Sequence, residues 1–205
     1  MAPNSLLRDR SVAGLFSDLV HGSECVAPGP GSSSVTMIDR KGFVWIADAT
    51  DGAPGGYLLR PGGARAYLGP GRPLGFKYDA RGNLIVCDSL KGLTMLEGGE
   101  GGRLVVLANR VSPSTDVDPG TPIVYANALD ISASSGIVYF SDSQNITTAL
   151  NKAGFYDTLG SFMLGLFAGI PSGRLLSFEP QTGVTRVLAR GEMIMRDNGC
   201  LDNLA

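Results

Sequence analysis

Hydrophobic positions in this chain come in short runs separated by polar or glycine-rich turns, and one arrangement of them occurs three times. The first two copies are IDRKGFVWIAD at 38–48 and YDARGNLIVCD at 78–88, in which an aspartate and a glycine precede an apolar run and a closing aspartate. The third, LDISASSGIVYFSD at 129–142, carries three more residues before its glycine. Asp-x-x-Gly between two apolar runs favours a type I turn closed by a glycine bulge, so each copy predicts a β-hairpin.

Each hairpin is followed by two further apolar runs and their glycine-rich turns. The whole unit therefore has about four strands in roughly forty residues, which is typical of a β-propeller blade. The aspartates that close the three hairpins, Asp48, Asp88 and Asp142, recur in every unit, which favours a structural turn or capping role over catalysis. We expect an all-β fold of about three four-stranded blades. Propellers close with about four to eight blades, so the chain is interpreted as an incomplete propeller: a truncated gene model, a splice form, or a half that pairs with something else.

One segment departs from the strand pattern. KAGFYDTLGSFMLGLFAG at 152–169 has apolar residues at helical spacing, followed by Gly169 and Pro171. The predicted apolar stripe consists of Phe155, Leu159, Phe162, Met163 and Leu166. This pattern predicts a short helix inserted in the third blade, with the stripe covering the propeller face. A helix lying on a membrane is less favoured, since no cluster of lysine or arginine is present for anionic lipids.

Composition excludes several classes of protein. With a net charge of −2, the chain has no basic face for nucleic acid. The 43% of hydrophobic residues can build a sizeable core, and no apolar run is long enough to span a bilayer. The cysteines Cys25, Cys87 and Cys200 form no close pair, so neither a zinc site nor a disulfide framework is indicated, and Cys87 is expected in the core.

Three segments resemble the strictosidine-synthase-like family: GRPLGFKYDARGNLIVCDSLKGL, YANALDISASSGIVYFSDSQ and SGRLLSFEPQTGVTRVLARG. The resemblance covers nearly all of 15–191, which we assign to a partial propeller, with an N-terminal extension at 1–14 and a truncated or irregular tail at 192–205. It implies a partial six-bladed propeller, related to gluconolactonases and paraoxonases, whose central channel holds a divalent metal, usually calcium.

The resemblance also implies site residues. Glu24 in HGSEC matches the Glu of a Gly-Pro-Glu motif, and Asn127 in YANALD matches the Asn of Phe-Ala-Asn-Asp-Leu, although Ala128 replaces the Asp. Asn198 in RDNGC is a third candidate ligand whose spacing from the preceding strand is off. Calcium takes about six to eight oxygens and, once bound, would polarise an ester or lactone carbonyl. His21 is the candidate base. The alternative interpretations are that Glu24 is only a surface carboxylate and that His21 is a satisfied or exposed histidine without a role in the site.

The expected function of the complete form is a metal-assisted hydrolase of esters or lactones, or a related small-molecule enzyme such as strictosidine synthase. Strictosidine synthase places its essential glutamate on a later blade, and this chain has no counterpart for it. The alternative is a non-catalytic propeller fragment that self-associates or binds a partner through open blade edges; the chain alone could lack activity.

Asn145-Ile-Thr147 is a glycosylation pattern if the protein enters the secretory path. The family suggests an endomembrane, vacuolar or extracellular location, although no signal peptide or transmembrane segment is visible.

Overall fold

The computed structural model describes residues 15–29, 33–52 and 56–192. The first sheet is built on the first predicted hairpin. Its strands are β1 (Val26–Pro28), β2 (Ser34–Ile38), β3 (Phe43–Ala49), β4 (Tyr57–Leu59) and β5 (Ala66–Tyr67). The strands pair antiparallel in the order β1-β2-β3-β4, and β5 also pairs with β3.

The second and third sheets have four strands each. In the second, β6 (Pro73–Tyr78), β7 (Leu84–Asp88), β8 (Gly92–Leu96) and β9 (Leu104–Ala108) pair in chain order. The third begins with β10 (Ala126–Ile131) and β11 (Val138–Asp142). A hairpin of β12 (Ala149–Leu150) and β13 (Tyr156–Asp157) and the helix α1 (Thr158–Ala168) then interrupt it. It is completed by β14 (Gly173–Glu179) and β15 (Val184–Glu192).

The predicted turns are present. In the second hairpin, the backbone N–H groups of Arg81 and Asn83 donate to Asp79 Oδ1, and Gly82 adopts a φ of 81°. Asp39 accepts the equivalent bonds from Lys41 and Phe43 in the first hairpin. The longer third turn is closed instead by Ser132, whose carbonyl accepts from the Gly136 N–H.

The first sheet differs from the prediction in its outer strands. We expected two successive strands in 56–69, but β4 and β5 both pair with β3: β4 with Ala47–Ala49 and β5 with Phe43 and Val44. The two short segments therefore form one interrupted strand, because the intervening Pro61-Gly62-Gly63 turn breaks the run. The strand β1, which precedes the hairpin, pairs with β2 and is the fourth strand of this sheet.

The middle sheet packs between the other two, as a propeller blade does. Successive residues of a strand point to opposite faces. Leu84 and Val86 accordingly pack in a cluster with Ile38 and Val44 of the first sheet. Ile85 and Cys87 pack in a second cluster with residues of the third sheet, among them Leu129, Phe140 and Leu176. The arrangement confirms the partial all-β propeller and places Cys87 in the core, as predicted.

Strands β6 and β10 approach closely where the second and third sheets meet. A Cβ at Gly75 would lie 2.7 Å from the backbone oxygen of Asn127 and 2.9 Å from the Cα of Ala128. Only glycine allows the two backbones to come this close. The contact holds the start of β10 against β6, and the candidate site is built around that point.

The closing aspartates have the structural role expected of them, each with a cation. Asp48 binds Arg60 at 2.9 Å, and Asp142 binds Arg174 at 2.6 Å. Asp88 Oδ1 accepts from the backbone N–H groups of Leu90 and Lys91. The Lys91 ammonium lies 3.0 Å from Asp88 Oδ2, although without hydrogen-bond alignment.

Helix α1 lies where it was predicted, but most of its predicted stripe is exposed. Its N-terminus is capped by Asp157, and it ends at Gly169 with a φ of 62°. The residues it buries are Ser161 and Gly165, whereas Leu159, Met163 and Leu166 of the stripe are exposed. Phe155 and Phe162 are half-buried. The missing side chain at Gly165 lets the helix backbone approach Gln144 in the loop after β11. Among the helices of the described residues, none has the length and apolar character needed to cross a membrane.

Candidate functional site

A cavity of about 340 Å³ lies where the segment before β1, the start of β10, the loop after β11 and the first turns of α1 meet. One wall is polar and carries Glu24, Asn127, Ser143 and Gln144. The rest of the lining consists of Tyr125, Thr158, Leu159 and Phe162. Two residues proposed from the sequence, Glu24 and Asn127, therefore line the same cavity although 103 positions separate their numbers (127 − 24).

Glu24 is held by an arginine. The Arg72 Nη2 donates to Glu24 Oε1 at 2.8 Å. The Arg72 side chain is 7% exposed and that of Glu24 is 43% exposed, so the ion pair reaches from the protein interior to the cavity. Arg72 immediately precedes β6, and its backbone oxygen accepts from the Ser89 N–H. The start of the second sheet thereby fixes the position of the Glu24 carboxylate.

Asn127 lies at the start of β10, beside the Gly75 contact. Its Nδ2 donates to the Ser143 Oγ at 3.1 Å. This bond directs the amide, and within the described part of the chain the Asn127 Oδ1 accepts no hydrogen bond. The role of Asn127 as a metal ligand remains a prediction.

Gln144 is a deeply buried polar side chain of the cavity wall. It is 3% exposed, and its Nε2 donates to the Ile146 carbonyl at 3.2 Å. Its Oε1 is buried and accepts no hydrogen bond from the described residues. This oxygen lies directly below Gly165 of α1, where a Cβ would clash with it. The absence of a side chain at Gly165 thus makes room for the Gln144 amide.

Tyr125 joins the polar and apolar parts of the cavity. Burial raises the pKa of its phenol, and hydrogen bonding to Ser161 of α1 opposes that shift. The phenol is consequently protonated at neutral pH. Its bond to Ser161 ties the helix to the loop that precedes β10.

The residues present do not fit a calcium ion. Calcium requires about six to eight oxygen ligands and is bound most strongly by several carboxylates. The cavity wall supplies one carboxylate, Glu24, whose charge is already offset by Arg72. Across the described ranges, no group of three or more His, Cys, Asp or Glu side chains could hold a metal. The expectation of calcium is therefore not supported by the donors found here, and calcium binding stays a prediction.

The other candidates from the sequence lie away from the cavity or outside the description. His21 is exposed and is not part of the cavity wall; its carbonyl accepts from the Arg40 N–H. Asn145 is exposed in the loop after β11, and its own N–H donates to Ser172 Oγ. Asn198 lies outside the described residues, as do the extension at 1–14 and most of the tail.

Sequence reasoning missed three residues of this site: Arg72, Tyr125 and Gln144. Arg72 lies within GRPLGFKYDARGNLIVCDSLKGL, a segment that the sequence analysis used only for the family resemblance. The available signal was a charged side chain between a glycine and a proline, directly before the strand β6. Tyr125 and Gln144 each lie two residues from a residue singled out in the sequence, Asn127 and Asp142.

No protein-family model matches the chain. Among curated proteins, it is similar to protein STRICTOSIDINE SYNTHASE-LIKE 7 of Arabidopsis thaliana, with 35% identity over 120 residues, 58% of this chain and 27% of that protein. STRICTOSIDINE SYNTHASE-LIKE 3 of the same plant is 37% identical over 121 residues, 58% of this chain and 26% of that protein. STRICTOSIDINE SYNTHASE-LIKE 12 matches over 162 residues, 78% of this chain, at 24% identity. The chain thus spans about a quarter of the length of the first two relatives.

Proposed function

Because the chain belongs to the strictosidine-synthase-like family, we propose that it forms the part of a propeller that binds a small organic molecule in the cavity at Glu24 and Asn127. In the complete protein, the proposed reaction is hydrolysis of an ester or lactone, or a related small-molecule reaction. Calcium has no step in this proposal, because the donors at the cavity do not fit it.

The observation that carries the proposal is the cavity itself. Its volume of about 340 Å³ falls within the range of roughly 300–1,000 Å³ that is usual for small-molecule sites. Such sites combine an apolar lining with a few polar groups that orient the ligand. Here the apolar surface comes from Leu159 and Phe162, and the polar groups are Glu24, Asn127 and Gln144.

Each part of the wall has a proposed task. Phe162 and Leu159 hold the apolar part of the ligand and keep water from it. Asn127 Oδ1 orients the ligand by accepting a hydrogen bond from one of its hydroxyl groups. Glu24 is the carboxylate able to take a proton from a water or hydroxyl group, because only one of its oxygens is bound to Arg72. A base within hydrogen-bond reach of the ligand is what ester hydrolysis needs from this wall.

The test uses methyl mandelate as a hydroxyl-bearing ester and 6-hydroxydihydrocoumarin as a hydroxyl-bearing lactone, with binding followed by saturation-transfer NMR. Phe162→Ala removes a ring from the cavity wall and should weaken binding by about tenfold or more, since a buried aromatic side chain contributes roughly 1.5–3 kcal/mol. Leu164→Ala is the matched control, because Leu164 is 62% exposed and does not line the cavity. The proposal is rejected if neither compound binds, or if the two variants weaken binding equally.

A non-catalytic interaction module is the second candidate, and exposed apolar side chains favour it. Phe167 is 79% exposed, Leu164 is 62% exposed and Ile170 is 59% exposed. This surface would suit contact between two copies of the chain. Sedimentation of the wild type and of Phe167→Ser separates the candidates: self-association that the substitution abolishes, together with no binding of either probe, would favour the interaction module.

A further inference from the structure

The ion pair between Arg72 and Glu24 changes what the cavity can recognise. Arg72 is 6% exposed, and Glu24 is its only carboxylate partner within 4.0 Å among the described residues. Its Nε and Nη1 are buried and have no hydrogen-bond partner in the described part of the chain. A guanidinium stays protonated throughout the physiological pH range, so this positive charge is permanent.

A fixed cation at this position disfavours a second one. Two positive charges a few ångströms apart repel each other strongly where burial lowers the effective dielectric constant. A metal ion or an ammonium group bound to the free oxygen of Glu24 would lie within a few ångströms of the Arg72 guanidinium. The carboxylate can still accept hydrogen bonds from a neutral donor, because such a donor brings no net charge.

Two side-chain oxygens of the cavity wall are acceptors without a protein donor. Glu24 Oε2 and Asn127 Oδ1 accept no hydrogen bond from the described residues. A ligand that displaces water from such an acceptor and offers no donor in exchange binds more weakly. A ligand that offers hydroxyl hydrogens would satisfy these oxygens. A hydrocarbon of the same shape would leave them unpaired.

We propose that Arg72 occupies the place of a metal ion beside Glu24, and that the cavity selects a neutral, hydroxyl-bearing molecule with an apolar ring. The hydroxyl group donates to Glu24 Oε2 or Asn127 Oδ1, and the ring lies against Tyr125 and Phe162. Arg72 is a specificity-determining residue that acts through Glu24. The inference rests on the proposed small-molecule site and specifies the class of molecule that enters it.

Three probes of nearly equal shape test this selection: benzyl alcohol, ethylbenzene and benzylammonium. Binding is measured by saturation-transfer NMR on the full chain. Benzyl alcohol should bind about tenfold more tightly than ethylbenzene, the effect of roughly one hydrogen bond at the upper end of its usual range. It should also bind more tightly than benzylammonium, because Arg72 repels the ammonium group.

Substitution of Arg72 should reverse the second preference. Arg72→Gln removes the cation and leaves the Glu24 charge free, so benzylammonium should then bind more tightly than benzyl alcohol. Arg72→Lys restores a cation and should restore the preference for the alcohol. Arg103→Gln is the control, since Arg103 forms an exposed ion pair with Glu97 and should leave all three affinities unchanged. A change of preference between ligands is not expected from a general loss of stability.

Thermal denaturation with calcium chloride or a chelator supplies an independent measurement. The wild type should melt at the same temperature in both, whereas a calcium-dependent rise in melting temperature that Glu24→Gln removes would overturn the inference.

If Arg72→Gln does not fold, Glu24→Gln provides the second variant. It should weaken the binding of benzyl alcohol and leave the binding of ethylbenzene unchanged.

Each binding outcome has a distinct meaning. Equal binding of ethylbenzene and the alcohol would overturn the selection by acceptors and leave the proposed small-molecule site standing. Tighter binding of benzylammonium to the wild type would overturn the role of Arg72. Failure of all three probes to bind would reject the cavity as a small-molecule site and the inference with it.

Discussion

At the scale of single residues, the three closing aspartates occupy the same place in the repeat but differ in burial. The Asp142 side chain is 3% exposed, whereas that of Asp48 is 44% exposed. Asp142 accepts from two backbone N–H groups and from Arg174. The repeated sequence therefore predicts the role of these residues but not how much each one contributes to stability.

Asp142→Ala should destabilise the chain far more than Asp48→Ala. Removing Asp142 leaves the Arg174 guanidinium, 12% exposed, with only the more distant Asp118 carboxylate at 3.7 Å, and breaking such a buried pair costs up to about 3–5 kcal/mol. Asp48→Ala should cost little, because exposed ion pairs contribute little to stability and Arg60 keeps Glu100 as a partner. Urea denaturation of the two variants measures both values. Equal losses would contradict the structural roles described for the two residues.

Cys87 should be inert towards thiol reagents in the folded protein. It is fully buried, and burial, with smaller contributions from Asp88 and Asp142, raises the pKa of its thiol well above the usual value. The thiol therefore stays protonated at neutral and mildly alkaline pH, whereas alkylation requires the thiolate. Iodoacetamide labelling followed by mass spectrometry should modify Cys87 only after addition of denaturant. Labelling of Cys87 in the native chain at the rate of the half-buried Cys25 would be inconsistent with the packing described.

At the scale of elements, the sequence predicts the strands and the helix well but not the helix orientation. Every predicted hairpin is present, because Asp-x-x-Gly is local chemistry that needs no tertiary contact. The buried face of α1 was missed, because helical periodicity assigns the large apolar residues to the interior. Here Ser161 and Gly165 take that place, because Gln144 and Tyr125 leave space for nothing larger.

Two glycine substitutions in α1 test this orientation. Gly160→Ala, at an exposed position, should stabilise the chain by up to about 1 kcal/mol through helix propensity. Gly165→Ala gains the same propensity, but its Cβ meets the buried Gln144 Oε1. It should therefore be the less stable variant by at least about 1 kcal/mol, within the range expected for overpacking. Thermal denaturation measures both, and equal stabilisation would mean that Gly165 does not face Gln144.

At the scale of the whole molecule, the contacts between sheets decide what the chain can do. The repeat predicted stacked blades, and the structure has them. The sequence alone did not show that a charged side chain, Arg72, would reach Glu24, because that contact joins the start of the second sheet to the segment before the first. Long-range polar contacts of this kind depend on how whole sheets pack, and no local pattern marks them.

The central claim is that separate sheets bring distant residues to one cavity through the close approach of β6 and β10. Nuclear Overhauser effects between the Gly75 α-protons and the Ala128 α-proton measure this approach directly in solution. The account predicts a strong effect, because the two backbones lie in van der Waals contact there. The account would be contradicted if cross-strand Overhauser effects were intact within each sheet but none occurred between Gly75 and Ala128. Glu24 and Asn127 would then not share a cavity.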